Sequence, residues 1–148
     1  MVLALERGLQ DVILRRGGID EPDDVFEPEH PAFLLFPTYF HQQADRLRPE
    51  YRYLYDDARA SEPSAGRLLI TSRVRVRSAR ELTSEAEVDA LGERHVYRRE
   101  VVIDRLHGVY GKALYALEVD VERLDQPLDL PLRAEYAGCK SWVAISAQ

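Results

Sequence analysis

Two groups of side chains in this sequence have the spacing to do chemistry. The first is "RVRVRSAR" at 73–80, with four arginines and no acid. If the segment is a strand, Arg73, Arg75 and Arg77 recur every ~6.6 Å along one face. That is close to the phosphate spacing of an extended single strand, so a nucleic-acid backbone could lie along them. The second is "EPEHPAFLLFPTYFHQ" at 27–42, where Glu29 and His30 precede a short apolar run and Thr38, His41 and Gln42 follow it. If Thr38 caps a helix, His41 and Gln42 fall in its first turn beside free backbone N–H groups, an arrangement suited to an anion or the edge of a nucleobase. Arg15 and Arg16 become their neighbours if the strand that carries them pairs with "AFLLF".

Each group has a plainer reading. Glu118, Asp120 and Glu122 form an acidic ladder of the same period as the arginines. If the two strands pair, each arginine meets a carboxylate across the sheet for roughly 0.2–1 kcal/mol. Such exposed pairs are common and weak, and cross-strand pairing is the preferred reading of the ladder. The acidic trio alone makes a poor cation site, since neighbours ~6.6 Å apart cannot all reach one Mg²⁺ at ~2.1 Å. Around the apolar run, Thr38 can simply cap, Gln42 face water, His41 pack, and Glu29 with His30 anchor a loop. His30 and His41 are not expected to share a metal, because the extended run from 30 to 38 alone reaches ~26 Å. "GVYGKA" lacks the spacing of a phosphate loop and precedes a strand. Cys139 has Lys140 beside it but no base. Neither a metal nor a cofactor is expected.

The elements that must position these groups follow from hydrophobic period. "LALERGLQ" reads as a short helix, Val12 to Leu14 as a strand stopped by Gly17–Gly18, and "AFLLF" as a strand covered on both faces. A helix is expected from Thr38 to Pro49, and another through Tyr51, Leu54 and Tyr55. In "RLLITSRVRV" the even positions are Leu68, Ile70, Ser72, Val74 and Val76, whereas the odd ones include Thr71, Arg73 and Arg75, with Arg77 just beyond, the pattern of a half-buried strand. Ser84 and Glu87 have capping-box spacing, Val88 and Leu91 share a face, and Gly92 can end the helix. "REVVIDRLHG" reads as a helix ending at Gly108, with strand an open alternative from its Val and Ile content; "KALYALEVDVERL" reads as an alternating strand, and "SWVAI" as a last short strand, its Trp142 a core anchor. The sum is a single α+β domain over 1–148, with about five strands in a mixed or antiparallel sheet and three to four helices.

At 148 residues, 45% hydrophobic and 31% charged, the chain can bury a core without staples. The formal net charge of −6 disfavours a strongly electrostatic nucleic-acid binder, although the acids are concentrated in "GGIDEPDDVFEPEH" and the arginines in 73–80. No apolar stretch is long enough to span a bilayer, a secretory signal is not supported, and a lone cysteine suits a reducing compartment. A soluble, cytoplasmic protein is expected.

The segments "VILRRGGID", "FEPEHPAFLLFPTYFHQ" and "YAGCKSWV" together resemble the bacterial family known as domain of unknown function 1802. The resemblance spans nearly the whole chain and marks Arg15, Gly17, Gly18, Glu29, His30, Pro37, Thr38, His41, Gln42 and Cys139 to Trp142 as residues to watch. It implies a group and no reaction. "ALEVDVERLDQPLDLP" followed by a short strand is also similar to the end of PUA-like barrels, including the ASCH and EVE groups, which implies a strongly bent or closed sheet and a ligand such as RNA or a modified base. The expected function is binding of a nucleotide or nucleic acid in a pocket lined by Arg15, Arg16, Thr38, His41 and Gln42. Two other functions stay open: a metal-dependent phosphodiesterase or nuclease using Glu29 and His30 as acid/base groups, and a protein-interaction module with no small ligand.

Overall fold

A computed structural model of the chain describes residues 1–16, 31–38, 43–108, 113–136 and 145. In chain order these form α1 (Val2–Glu6), β1 (Val12–Arg16), β2 (Ala32–Leu34), two 3-10 turns (Ala44–Arg46 and Pro49–Tyr51), α2 (Tyr53–Ala60), β3 (Arg67–Leu82), α3 (Glu85–Leu91), α4 (Arg99–Leu106), β4 (Leu114–Pro131) and a last 3-10 turn (Ala134–Tyr136). The strands make one open antiparallel sheet in the order β1-β4-β3-β2.

The two long strands carry the architecture. β3 pairs with β4 from Arg67↔Pro131 to Leu82↔Leu114, and the connection between them is the α3–α4 unit, not a tight hairpin. Helix α3 starts where its sequence dictates. The Ser84 hydroxyl accepts from Glu87 N–H, and the Glu87 carboxylate accepts in return from the backbone N–H of Ser84, so two N-terminal donors are satisfied reciprocally. Gly92 ends the helix at φ 55°, a conformation a side chain resists.

Both sheet faces are covered where β4 begins. Ile13, Tyr115, Leu117 and Val119 pack with Leu5 of α1. On the other face Val12, Leu14, Leu114 and Ala116 meet Val88 and Leu91 of α3 and Val102 of α4. Residues 114–117 are therefore all buried, whereas the rest of β4 follows the simple alternation expected from its sequence only at Val119 and Val121. Two smaller cores complete the interior. Ala4, Leu54 and Val96 join α1 to α2; Leu68, Ile70 and Tyr136 close the other end of the sheet with Ile145 packed against them, and there Phe36 meets Tyr136 edge-to-face at 5.9 Å.

The pairing of β3 and β4 is interrupted twice, between Ile70 and Ser72 and between Val76 and Ser78. At the first, Ile70 faces Leu128 and Ser72 faces Arg123, so residues 124–127 bow out of the ladder. Pro127 lies in that bow and has no N–H to give it.

Several expectations are corrected. The described residues supply four strands in an open sheet, not five in a closed PUA-like barrel; most of "SWVAI" lies outside the described residues, and Ile145 packs without belonging to a strand. "AFLLF" is a three-residue edge strand with Ala32 exposed and Phe33 and Leu34 half-buried, so it is not covered on both faces. Of the helix expected from Thr38 to Pro49, residues 39–42 lie outside the described residues, and among residues 43–48 there is no α-helix: Gln43 is extended at φ −129°, ψ 115°, and a 3-10 turn follows it. The tertiary contact that holds this segment open is the bridge between Leu47 and Tyr97, with Arg48 N–H donating to Val96 O and Arg98 N–H to Arg46 O.

The α3–α4 side of the core should dominate stability. Leu91→Ala, at a side chain 2% exposed, is expected to cost roughly 2–5 kcal/mol, against about 1 kcal/mol for loss of the cap in Ser84→Ala. Chemical denaturation of both variants measures the ordering, and equal losses would contradict it.

Candidate functional site

A cavity of about 690 Å³ lies between α1, α2, β3, α4 and residues 36–38 and 43–47, within the size range of sites that hold small organic ligands. Its apolar wall includes Leu3, Ala4, Leu14, Leu54 and Val96, and its polar groups include Glu6, Thr38, Arg46, Tyr97, Arg105 and Arg123. The bridge of residue 47 to residue 97 brings two of these polar groups together, since Arg46 and Tyr97 flank it.

Tyr97 is the centre of a stack. His95 lies against it at 6.1 Å between centroids and 29° between planes, and the Arg105 guanidinium sits 5.1 Å from its ring centroid, within cation–π range. Burial pushes the Tyr97 phenol above its ordinary pKa, opposed by the fields of Arg105 and Arg46. His95 is 2% exposed; burial first, then the fields of Arg48 and Arg105, lowers its pKa to about 4. It is thus the neutral imidazole at ordinary pH, and its Nδ1 accepts the backbone N–H of Tyr97 at 3.2 Å. Arg48 spends its guanidinium on structure, donating to Tyr97 O at 3.1 Å and to Gly92 O at 2.5 Å at the end of α3.

The cations split by what they face. Arg7 is tied to Asp57 at 2.7 Å. Arg46 donates to Gln43 Oε1 at 2.6 Å, a neutral partner, and Arg105 rests on Tyr97. Among the described residues neither Arg46 nor Arg105 has a carboxylate partner. Arg16 is more telling. It lies on the same face of β1 as Leu14, which lines the cavity, and its guanidinium packs against Gly108 just past α4, where an added Cβ would come within 2.5 Å of Nη2. Its Nε and Nη2 are buried and have no hydrogen-bond partner among the described residues.

Of the residues singled out by sequence, Thr38 lines the cavity and Arg16 does not. Arg15 points to the opposite face of β1 from Arg16 by strand alternation, opposite Tyr115. The expected pairing of the strand bearing Arg15 and Arg16 with "AFLLF" does not form: β1 and β2 occupy opposite edges of the sheet. Glu29, His30, His41 and Gln42 lie outside the described residues. Arg46, Tyr97, Arg105 and Glu6 were missed by sequence reasoning, because no local period marks a bridge formed between residues 47 and 97.

The arginine ladder is engaged in cross-strand pairs. Arg73 makes a two-pronged bond to Glu122 at 2.8 and 2.9 Å, which holds that carboxyl below its ordinary pKa. Arg77 lies 3.3 Å from Asp120 and 3.6 Å from Asp11, while Arg75 stands opposite Asp120 in register with no ion pair among the described residues. Glu118 bonds to Arg94 at 3.0 Å instead, and Arg94 also clamps Asp11 with two bonds of 2.9 and 3.0 Å. The irregularity between Val76 and Ser78 moves Arg77 out of step with Glu118, which explains the change of partner.

Residues 1–148 match the family model described as "Domain of unknown function (DUF1802)". The chain belongs to that family. No curated protein and no solved structure matches it. Among the described residues of this DUF1802 domain, no three His, Cys, Asp or Glu side chains gather as a metal site, and no helix is long and apolar enough to cross a membrane.

The buried histidine yields a pH signature with a definite sign. Above about pH 6.5 it is neutral folded or unfolded. Between 6.5 and its folded value of about 4 the unfolded chain takes up a proton that the folded chain refuses, so stability falls by up to about 3 kcal/mol as pH drops through that window. Comparing unfolding of the wild type and His95→Gln at pH 7 and pH 4 checks this: the wild type should lose more, and parallel losses would refute the assignment.

Proposed function

We propose that the cavity binds a single anionic, nucleotide-sized ligand, with the arginines taking its phosphate and Tyr97 and the apolar wall taking its base. The observation that carries this reading is the set of cations left over. Arg46 and Arg105 line one cavity without a carboxylate partner among the described residues, in a protein whose other arginines are mostly engaged with acids. A phosphate would accept charge-assisted bonds from guanidinium groups that no carboxylate engages. Tyr97 adds a ring for stacking, and bases stack on aromatic side chains for about 1–3 kcal/mol each.

A single nucleotide, or one unpaired base of a longer strand, is favoured over an extended polynucleotide. The net charge of −6 opposes accumulation of polyanions, and Arg73 and Arg77, which would have tracked a backbone, are already bonded to Glu122 and Asp120.

Titration calorimetry with nucleoside 5′-monophosphates tests the proposal. Saturable binding is expected, weakened about tenfold by Arg105→Ala and by Arg46→Ala, the loss of ~1.4 kcal/mol typical of a charge-assisted contact. Folded protein that takes up none of them at millimolar concentration, or that binds regardless of both substitutions, would overturn it.

A further inference from the structure

The end of the cavity nearest α1 carries a chemistry opposite to that of the arginines. Glu6, the last residue of α1, lines it with a side chain only 3% exposed, and it is the only carboxylate among the described lining residues. One oxygen, Oε1, accepts hydrogen bonds from the hydroxyls of Thr71 and Ser72. Those two residues sit where β4 bows away from β3, between Ile70↔Leu128 and Ser72↔Arg123, so their hydroxyls turn to the helix end. Among the described residues the other oxygen, Oε2, has only the Nη1 of Arg123 at 3.5 Å, beyond the length of a good N–H···O bond. A carboxyl group offers about four lone-pair directions, and here one side is filled while the other is almost unused. Arg123 is itself 65% exposed at its side chain, so it is a loose partner.

We infer that Glu6 is a specificity-determining residue that accepts a hydrogen bond through Oε2 from a donor group on the ligand, either the exocyclic amine of a base or the vicinal hydroxyls of a ribose. This rests on the cavity being the nucleotide site proposed above and adds to it the polarity of the ligand: anion at the arginines, donor at Glu6. A buried acceptor left unpaired by an analogue lacking the donor penalises that analogue, which is how a polar pocket discriminates. The fixed hydroxyls also define what an amide does in its place. With Thr71 and Ser72 donating to the amide oxygen, Glu6→Gln places an NH₂ where Oε2 stood: against an amine a donor then meets a donor, and against hydroxyls, which can also accept, the charge-assisted bond is lost.

The probes are adenosine 5′-monophosphate, purine riboside 5′-monophosphate, which lacks the amine, and 2′,3′-dideoxyadenosine 5′-monophosphate, which lacks the hydroxyls. With the wild-type chain one of the two analogues should bind about tenfold or more weakly, and which one does so tells base amine from sugar. In Glu6→Gln that preference should vanish, while the weakly bound analogue keeps its wild-type affinity. Both analogues binding the wild type as well as adenosine 5′-monophosphate, or an unchanged preference in folded Glu6→Gln, overturns the role of Glu6 and leaves the nucleotide site standing. Failure of all three to bind overturns both. Should Glu6→Gln not fold, the analogue series on the wild type decides: discrimination supports the inference and its absence ends it.

Discussion

The antiparallel pairing of β3 with β4 is the constraint on which the rest of this molecule depends. It runs from Arg67↔Pro131 to Leu82↔Leu114, and every other element is hung on it. β1 and β2 add to its two outer edges, α3 and α4 bridge its ends, and α1 packs on the face that holds Tyr115, Leu117 and Val119. Because β3 and β4 are separated by two helices in sequence, the pairing closes a long loop, whose entropy must be offset by the apolar burial of residues 114–117 on both faces. The hydrogen-bond ladder sets the register, and the register decides which polar side chains reach the interior.

Charge is distributed in two regimes. On the exposed sheet face and the α3–α4 surface, arginines find carboxylates: Arg73 with Glu122, Arg94 with Asp11 and Glu118, Arg99 with Asp89 and Glu85. These pairs are wet, contribute little individually, and mainly discourage wrong registers by opposing unlike charges across the ladder. Around the cavity the rule changes. Arg46 and Arg105 face an amide and an aromatic ring instead of an acid among the described residues, and His95 is kept neutral by burial and by the fields of Arg48 and Arg105. An excess of positive charge is tolerated there at a cost to the folded chain, the usual mark of a place shaped by a ligand more than by folding.

The opposite exception stands at Glu6. A carboxyl buried at the end of a short helix would ordinarily be fully bonded, yet it gives one oxygen to two hydroxyls and leaves the other to a long contact. The bow at 124–127 makes that possible, since a continuous ladder would have paired Thr71 with β4 and turned the strand away from α1. Irregularity in the sheet and polarity in the cavity are thus one feature.

Much of the secondary structure was legible in the sequence because it follows from local rules. The period of two in 67–76, the capping box at Ser84 and Glu87, the glycine stop at Gly92 and the helix over "REVVIDRL" all appear where sequence places them. The pairing of Arg73 with Glu122 and Arg77 with Asp120 was also readable from two ladders of equal period and opposite sign. The sequence on its own thus determined an α+β chain of the DUF1802 family with one face of its sheet wired by ion pairs, since periodicity, capping and charge alternation act over a few residues. Only the tertiary structure decided that β1 and β2 lie on opposite edges, that Leu47 bridges to Tyr97, and that Glu6, Tyr97 and Arg105 share one cavity with Thr38. Those placements depend on contacts between residues tens of positions apart, where no spacing in the chain records which surfaces will meet.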